Sequence, residues 1–104
     1  MHRPNPGQGF YAAAKLASEA LYRNLGLELA NRGITTVTLR PGYIATGRGT
    51  KYIRANEDIS GRIPLGRVLT GKEVAEAILF FLSDNAGGFN AVEICMDGGL
   101  SAAK

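Results

Sequence analysis

An α/β fold is predicted for this 104-residue chain by three features of its order. A long run of strong helix formers begins at Tyr11 and stops at Gly33, and a β-branched run, Ile34 to Arg40, follows at once and ends at Pro41-Gly42. A second helical pattern and a second short strand pattern then fill residues 70–96. Helix, tight turn and strand make the second half of a βαβ unit, so the expected order is helix, strand, loop, helix, strand around parallel pairing.

Length and composition bound what such a chain can be. It is one domain at most, and 45% hydrophobic with 20% charged residues is the composition of an ordinary globular protein. Cys95 is the only cysteine, which excludes an internal disulfide or a zinc framework and suits a reducing compartment. The start, Met1-His2-Arg3-Pro4-Asn5-Pro6-Gly7, lacks the apolar core of a signal peptide. The apolar run Ala77 to Leu82 is too short to span a bilayer. A cytoplasmic protein without a membrane partner is expected. The net charge of +3 gathers between Arg32 and Lys72, where Arg32, Arg40, Arg48, Lys51, Arg54, Arg62, Arg67 and Lys72 face only Glu57 and Asp58. Such a segment could attract a phosphate-bearing ligand. Without interleaved aromatics it does not fit nucleic-acid recognition, and a solvated basic loop is the default.

Residues 1–9 carry two prolines and two glycines and read as an irregular lead-in, with no role for His2. The spacing predicts a helix over 11–32, closed by Gly33 as its C′ residue. Phe10, Ala14, Ala17, Leu21, Leu25 and Leu29 form one apolar stripe, and Ala13, Leu16, Ala20 and Leu27 much of a second, so burial on two sides is expected. Tyr11 and Lys15 stand four apart on one helix face. A phenol is a poor acid or base at neutral pH, but an ammonium one turn away stabilises the phenolate and would make Tyr11 a proton donor and acceptor. The plain alternative is an aromatic packed on the core beside a lysine that snorkels to water.

Ile34 to Arg40 is the first strand, and its carboxyl end is where open α/β sheets bind ligands. There Pro41-Gly42-Tyr43-Ile44-Ala45-Thr46 bends the chain, lets backbone approach a flat ligand at Gly42, and offers the Thr46 hydroxyl; an ordinary strand-ending turn would read the same way. Residues 47–69 read as a long loop, with a short helix around Ile53 to Ile59, of the kind used as a lid. Thr70-Gly71-Lys72-Glu73 fits a capping box. Val74, Ala75, Ile78, Leu79 and Leu82 then give an apolar face to a helix ending near Ser83-Asp84, a strand follows at Ala91 to Met96, and Asp97-Gly98-Gly99 turns the chain out of it. Cys95, inside that strand, is expected to be a buried packing residue.

Taken in order, these pieces resemble the carboxy-terminal part of a short-chain dehydrogenase/reductase, and most closely the branch of 3-oxoacyl carrier-protein reductases. The resemblance covers nearly all of residues 9–101: Tyr11-Ala12-Ala13-Ala14-Lys15, Arg32-Gly33-Ile34, Pro41-Gly42-Tyr43-Ile44-Ala45-Thr46, Arg62-Ile63-Pro64-Leu65-Gly66-Arg67, Glu73-Val74-Ala75, Phe81-Leu82-Ser83-Asp84 and Met96-Asp97-Gly98-Gly99. It implies the carboxy-terminal portion of a Rossmann-like doubly wound parallel sheet, with residues 1–104 one partial domain and 47–69 its substrate loop. It implies NAD or NADP as cofactor, a small carbonyl or alcohol substrate, Tyr11 and Lys15 as the catalytic pair, and Lys15, Pro41, Gly42, Ile44 and Thr46 at the cofactor.

The resemblance also marks what this sequence lacks. Ten residues precede Tyr11 and none is Ser, where the family carries a catalytic Ser, and no Gly-x-x-x-Gly-x-Gly phosphate turn occurs. A truncated chain with little turnover alone is therefore expected. Its bare strand edge and two-sided helix call for a second copy or a complementing chain, and the same features would serve a non-catalytic self-association module.

Overall fold

The structure, a computed structural model, describes residues 6–45 and 59–103. Its elements are α1 (Gly9–Leu29), a 3-10 turn (Ala30–Arg32), β1 (Val37–Pro41), α2 (Ile59–Arg62), α3 (Gly71–Phe81), a second 3-10 turn (Asp84–Ala86) and β2 (Val92–Met96). β1 and β2 are neighbours in a two-stranded sheet. Thr36 O accepts from Ala91 N and Met96 O accepts from Gly42 N, both at 2.9 Å, so both strands advance together and the pairing is parallel, as the sequence predicts. Contacts divide the chain into two compact units, residues 1–38 with 87–92 and residues 39–86 with 93–104.

In the first unit, α1 starts two residues before the predicted helix and has no side-chain cap at Gln8. It closes as predicted: Gly33 takes φ 76° and its N–H donates to Ala30 O at 3.0 Å. Only Gly26 of α1 is buried. Phe10 is 97% exposed, and Leu21 and Leu27 are exposed as well. The expected burial on two sides is thus corrected. Within its own unit α1 can lie only on residues 34–38 and 87–92, while a helix of 21 residues is about 31 Å long at the usual rise; among the described residues of that unit there is too little chain to cover its apolar surface.

The first strand is also shorter than predicted. Ile34 is exposed, and Thr36 spends its backbone on residues 90 and 91 before β1 begins: its N–H donates to Asn90 Oδ1 at 3.1 Å and its C=O accepts from Ala91.

The second unit holds the buried apolar residues Ile59, Ile63, Leu69 and Ala86. Thr70 caps α3 as predicted: Glu73 N donates to Thr70 Oγ1 at 3.1 Å and Thr70 N donates to Glu73 Oε1 at 2.9 Å. α3 ends at Phe81 with Leu82 as its cap, short of Ser83-Asp84. Its half-buried apolar residues are Val74, Ala77 and Phe81, whereas Ala75, Ile78, Leu79 and Leu82 of the predicted apolar face are exposed. Glu93 and Cys95 share the exposed face of β2, which overturns the expectation of a buried Cys95. A strand alternates faces, and this face of β2 has no covering layer among the described residues. Of the predicted loop helix, only Ile59 falls in α2; residues 46–58 lie outside the described residues.

Candidate active site

The predicted site residues that the structure describes fall in two groups, one in each unit. Tyr11 and Lys15 lie in the first half of α1, four apart on one face, and both are exposed, Tyr11 to 57%. A helix supplies the spacing: residues four apart stack along one face whatever covers them.

Pro41 is the last residue of β1, Gly42 and Ile44 belong to the turn after it, and Thr46 lies outside the described residues. The turn is pinned at both ends. Gly42 N donates to Met96 O, Leu69 N to Tyr43 O and Ala45 N to Leu69 O, each at 2.9 Å, the last two closing an isolated parallel bridge between Ile44 and Leu69. A parallel bridge made by the C=O before Ile44 and the N–H after it directs the N–H and C=O of Ile44 itself to the opposite side. A Cβ on Gly42 would lie 2.8 Å from Asp97 Cβ and 3.0 Å from Asp97 Cα. Its missing side chain makes room for the 97–101 turn.

The basic residues of the 32–72 segment that the structure describes are partly neutralised. Arg40 Nε stands 3.4 Å from Glu93, Lys72 Nζ 3.9 Å from Glu76, and Arg67 forms a two-pronged pair with Glu73 at 2.7 and 2.9 Å. Hydrogen bonds from Arg67, then from the Thr70 N–H, hold the Glu73 carboxyl down at about 2. Arg48, Lys51 and Arg54 lie outside the described residues. Among the described residues no group of three or more His, Cys, Asp or Glu is placed to hold a metal, and no helix is long and apolar enough to cross a membrane.

Three residues that organise these parts escape sequence reasoning. Asn90 binds partners 54 and 64 positions away, for which no local pattern exists. Arg67 stands six residues before Glu73, outside the capping-box spacing. Asp97 reads only as a turn former, although its carboxylate accepts from Gly99 N and Ser101 N, each at 3.0 Å.

The sequence pattern of the family described as enoyl-(acyl carrier protein) reductase matches residues 1–101. The chain belongs to the short-chain dehydrogenase/reductase family. Among its relatives, the 3-oxoacyl-[acyl-carrier-protein] reductase of Haemophilus influenzae is 37% identical over 98 residues, covering 92% of this chain and 40% of the relative. The enzyme of the same name from Thermotoga maritima is 40% identical over 97 residues, covering 92% and 39%. A solved structure named as a putative 2-deoxy-D-gluconate 3-dehydrogenase from Agrobacterium tumefaciens with bound NADP superposes with a TM-score of 0.79 at 34% identity, covering 88% of this chain and 39% of that one. The chain thus spans about 40% of the length of these short-chain dehydrogenase/reductase relatives, and it is a partial Rossmann-like α/β unit of that family.

Proposed function

We propose that this chain supplies the proton-transfer and nicotinamide-side residues of an NAD(P)-dependent oxidoreductase that interconverts a small carbonyl compound and its alcohol. The observation that carries the reading is Tyr11 and Lys15 one turn apart and both exposed on α1, in a chain whose relatives are named as reductases. Tyr11 exchanges the proton with the substrate oxygen, and Lys15 holds the nicotinamide ribose and supports charge on Tyr11. Pro41, Gly42, Ile44 and Thr46 line the nicotinamide and the adjoining phosphate, and residues 47–69 form the substrate loop. The dinucleotide supplies or accepts the hydride; the relative named with bound NADP supports this class of cofactor.

The cytoplasm is the proposed compartment, and the exposed Phe10, Leu21 and Leu27 support a second copy or a complementing chain as partner. Alone, the chain is expected to turn over little, since its sequence carries neither the phosphate turn nor the Ser that the resemblance implies. The test is a chimera in which this chain replaces the matched span of the Thermotoga maritima reductase. Oxidation of NADPH or NADH that depends on an added ketone is expected; a folded chimera that binds dinucleotide and reduces none of a broad ketone panel would sink the reading.

A further inference from the structure

The turn after β1 and the turn after β2 are built against each other within one unit. Gly42 N donates to Met96 O at 2.9 Å, and the place of a Gly42 Cβ is 2.8 Å from Asp97 Cβ and 3.0 Å from Asp97 Cα, so Gly42 rests directly on Asp97 with no room for a side chain of its own. Asp97 is in turn fixed by its own carboxylate. Oδ1 accepts from Gly99 N and Oδ2 from Ser101 N, each at 3.0 Å. The far side of this turn is anchored as well: Leu65 N donates to Gly98 O at 3.0 Å, and a Cβ on Gly98 would lie 2.7 Å from Ile63 Cγ2. Gly98 and Gly99 take φ 67° and 93°, a conformation that L side chains resist. The carboxylate therefore closes a turn whose back is held by residues 63–65 and whose front is the surface on which Gly42 rests.

We propose that Asp97 is a positioning residue that sets the conformation of the Pro41–Ala45 turn and, through it, the placement of the nicotinamide end of a dinucleotide. The ligand's identity rests on the function proposed above; the coupling of the two turns does not. Loss of the carboxylate frees the Gly99 and Ser101 amides, and the displaced Asp97 backbone no longer supports Gly42.

Amide hydrogen exchange on the full chain tests this. In Asp97→Ala the Gly42 and Ala45 amides should exchange about tenfold faster or more, while Asp97→Asn, which keeps one acceptor oxygen, should stay within about threefold of the unmodified chain. The Glu73 amide, bonded to Thr70 Oγ1 in the same unit, is the internal reference and should not change. If Asp97→Ala does not fold, Gly42→Ala reads the coupling from the other side, and the Gly99 and Ser101 resonances should move while that of Glu73 stays. Unchanged protection at Gly42 and Ala45 in Asp97→Ala, equal losses at Glu73, or unmoved Gly99 and Ser101 in Gly42→Ala would overturn the proposal. Adding NADPH to the unmodified chain separates the two readings. Shifts confined to residues 41–45 support dinucleotide binding there, whereas no shift beside an intact Asp97 effect would count against the ligand and leave the coupling standing.

Discussion

Asn90 and Gly26 are joined across 64 positions of the chain. Asn90 Nδ2 donates to Gly26 O at 2.9 Å, and a Cβ on Gly26 would come within 2.6 Å of Asn90 Oδ1 and closer still to Thr36 Oγ1. Those two oxygens are engaged, one accepting from Thr36 N and the other donating to Tyr22 O, so neither can retreat without breaking a bond. Replacing a helical glycine by alanine ordinarily gains about 1 kcal/mol. Here overpacking of about 1–3 kcal/mol, plus a lost hydrogen bond, outweighs it. Gly26→Ala should therefore lower stability in urea unfolding; a gain would contradict the close approach.

Ala91 makes the opposite case. It holds φ 54°, which costs an L residue roughly 1–2 kcal/mol, against about 0.5–1 kcal/mol for the added backbone freedom of glycine. Ala91→Gly should stabilise the chain by about 0.5–1 kcal/mol in the same assay.

The Arg67–Glu73 pair gives a pH dependence with a defined sign. The Glu73 carboxyl falls from 4.5 to about 2 on folding, so its contribution is complete above about 4.5 and is lost as pH drops from there toward about 2. Arg67, raised by the same contact, stays charged throughout. Because the pair is solvent-exposed, salt should weaken the effect. Thermal melts from pH 6 to 2 should show this loss in the unmodified chain and a flatter profile in Glu73→Gln; equal slopes would contradict the pairing.

Thr70 caps α3 by accepting from Glu73 N at 3.1 Å. Thr70→Ala should cost about 1 kcal/mol, measured by urea unfolding, with Thr70→Ser close to the unmodified chain.

What the sequence made legible follows from the range of each interaction. The Thr70–Glu73 box, the Gly33 stop and the Tyr11–Lys15 spacing span three or four residues and are written in local pattern. Gly26, by contrast, looks like a flaw inside a helix until Asn90 and Thr36 stand against it, and nothing in the local pattern of Gly42 announces that Asp97 lies against it. Periodicity finds apolar stripes but not their cover. Leu79 and Leu82 repeat at helical spacing and remain exposed, and Cys95 sits on the bare face of β2, because burial depends on layers that a helix or strand cannot supply for itself.

The central claim, that Tyr11 transfers the proton in a carbonyl reduction, is tested most directly by Tyr11→Phe in the Thermotoga maritima chimera. Ketone-dependent turnover should fall about 100-fold or more, the usual loss when a general acid is removed, while dinucleotide binding and melting temperature stay the same. Turnover equal to that of the parent chimera would contradict the assignment of Tyr11.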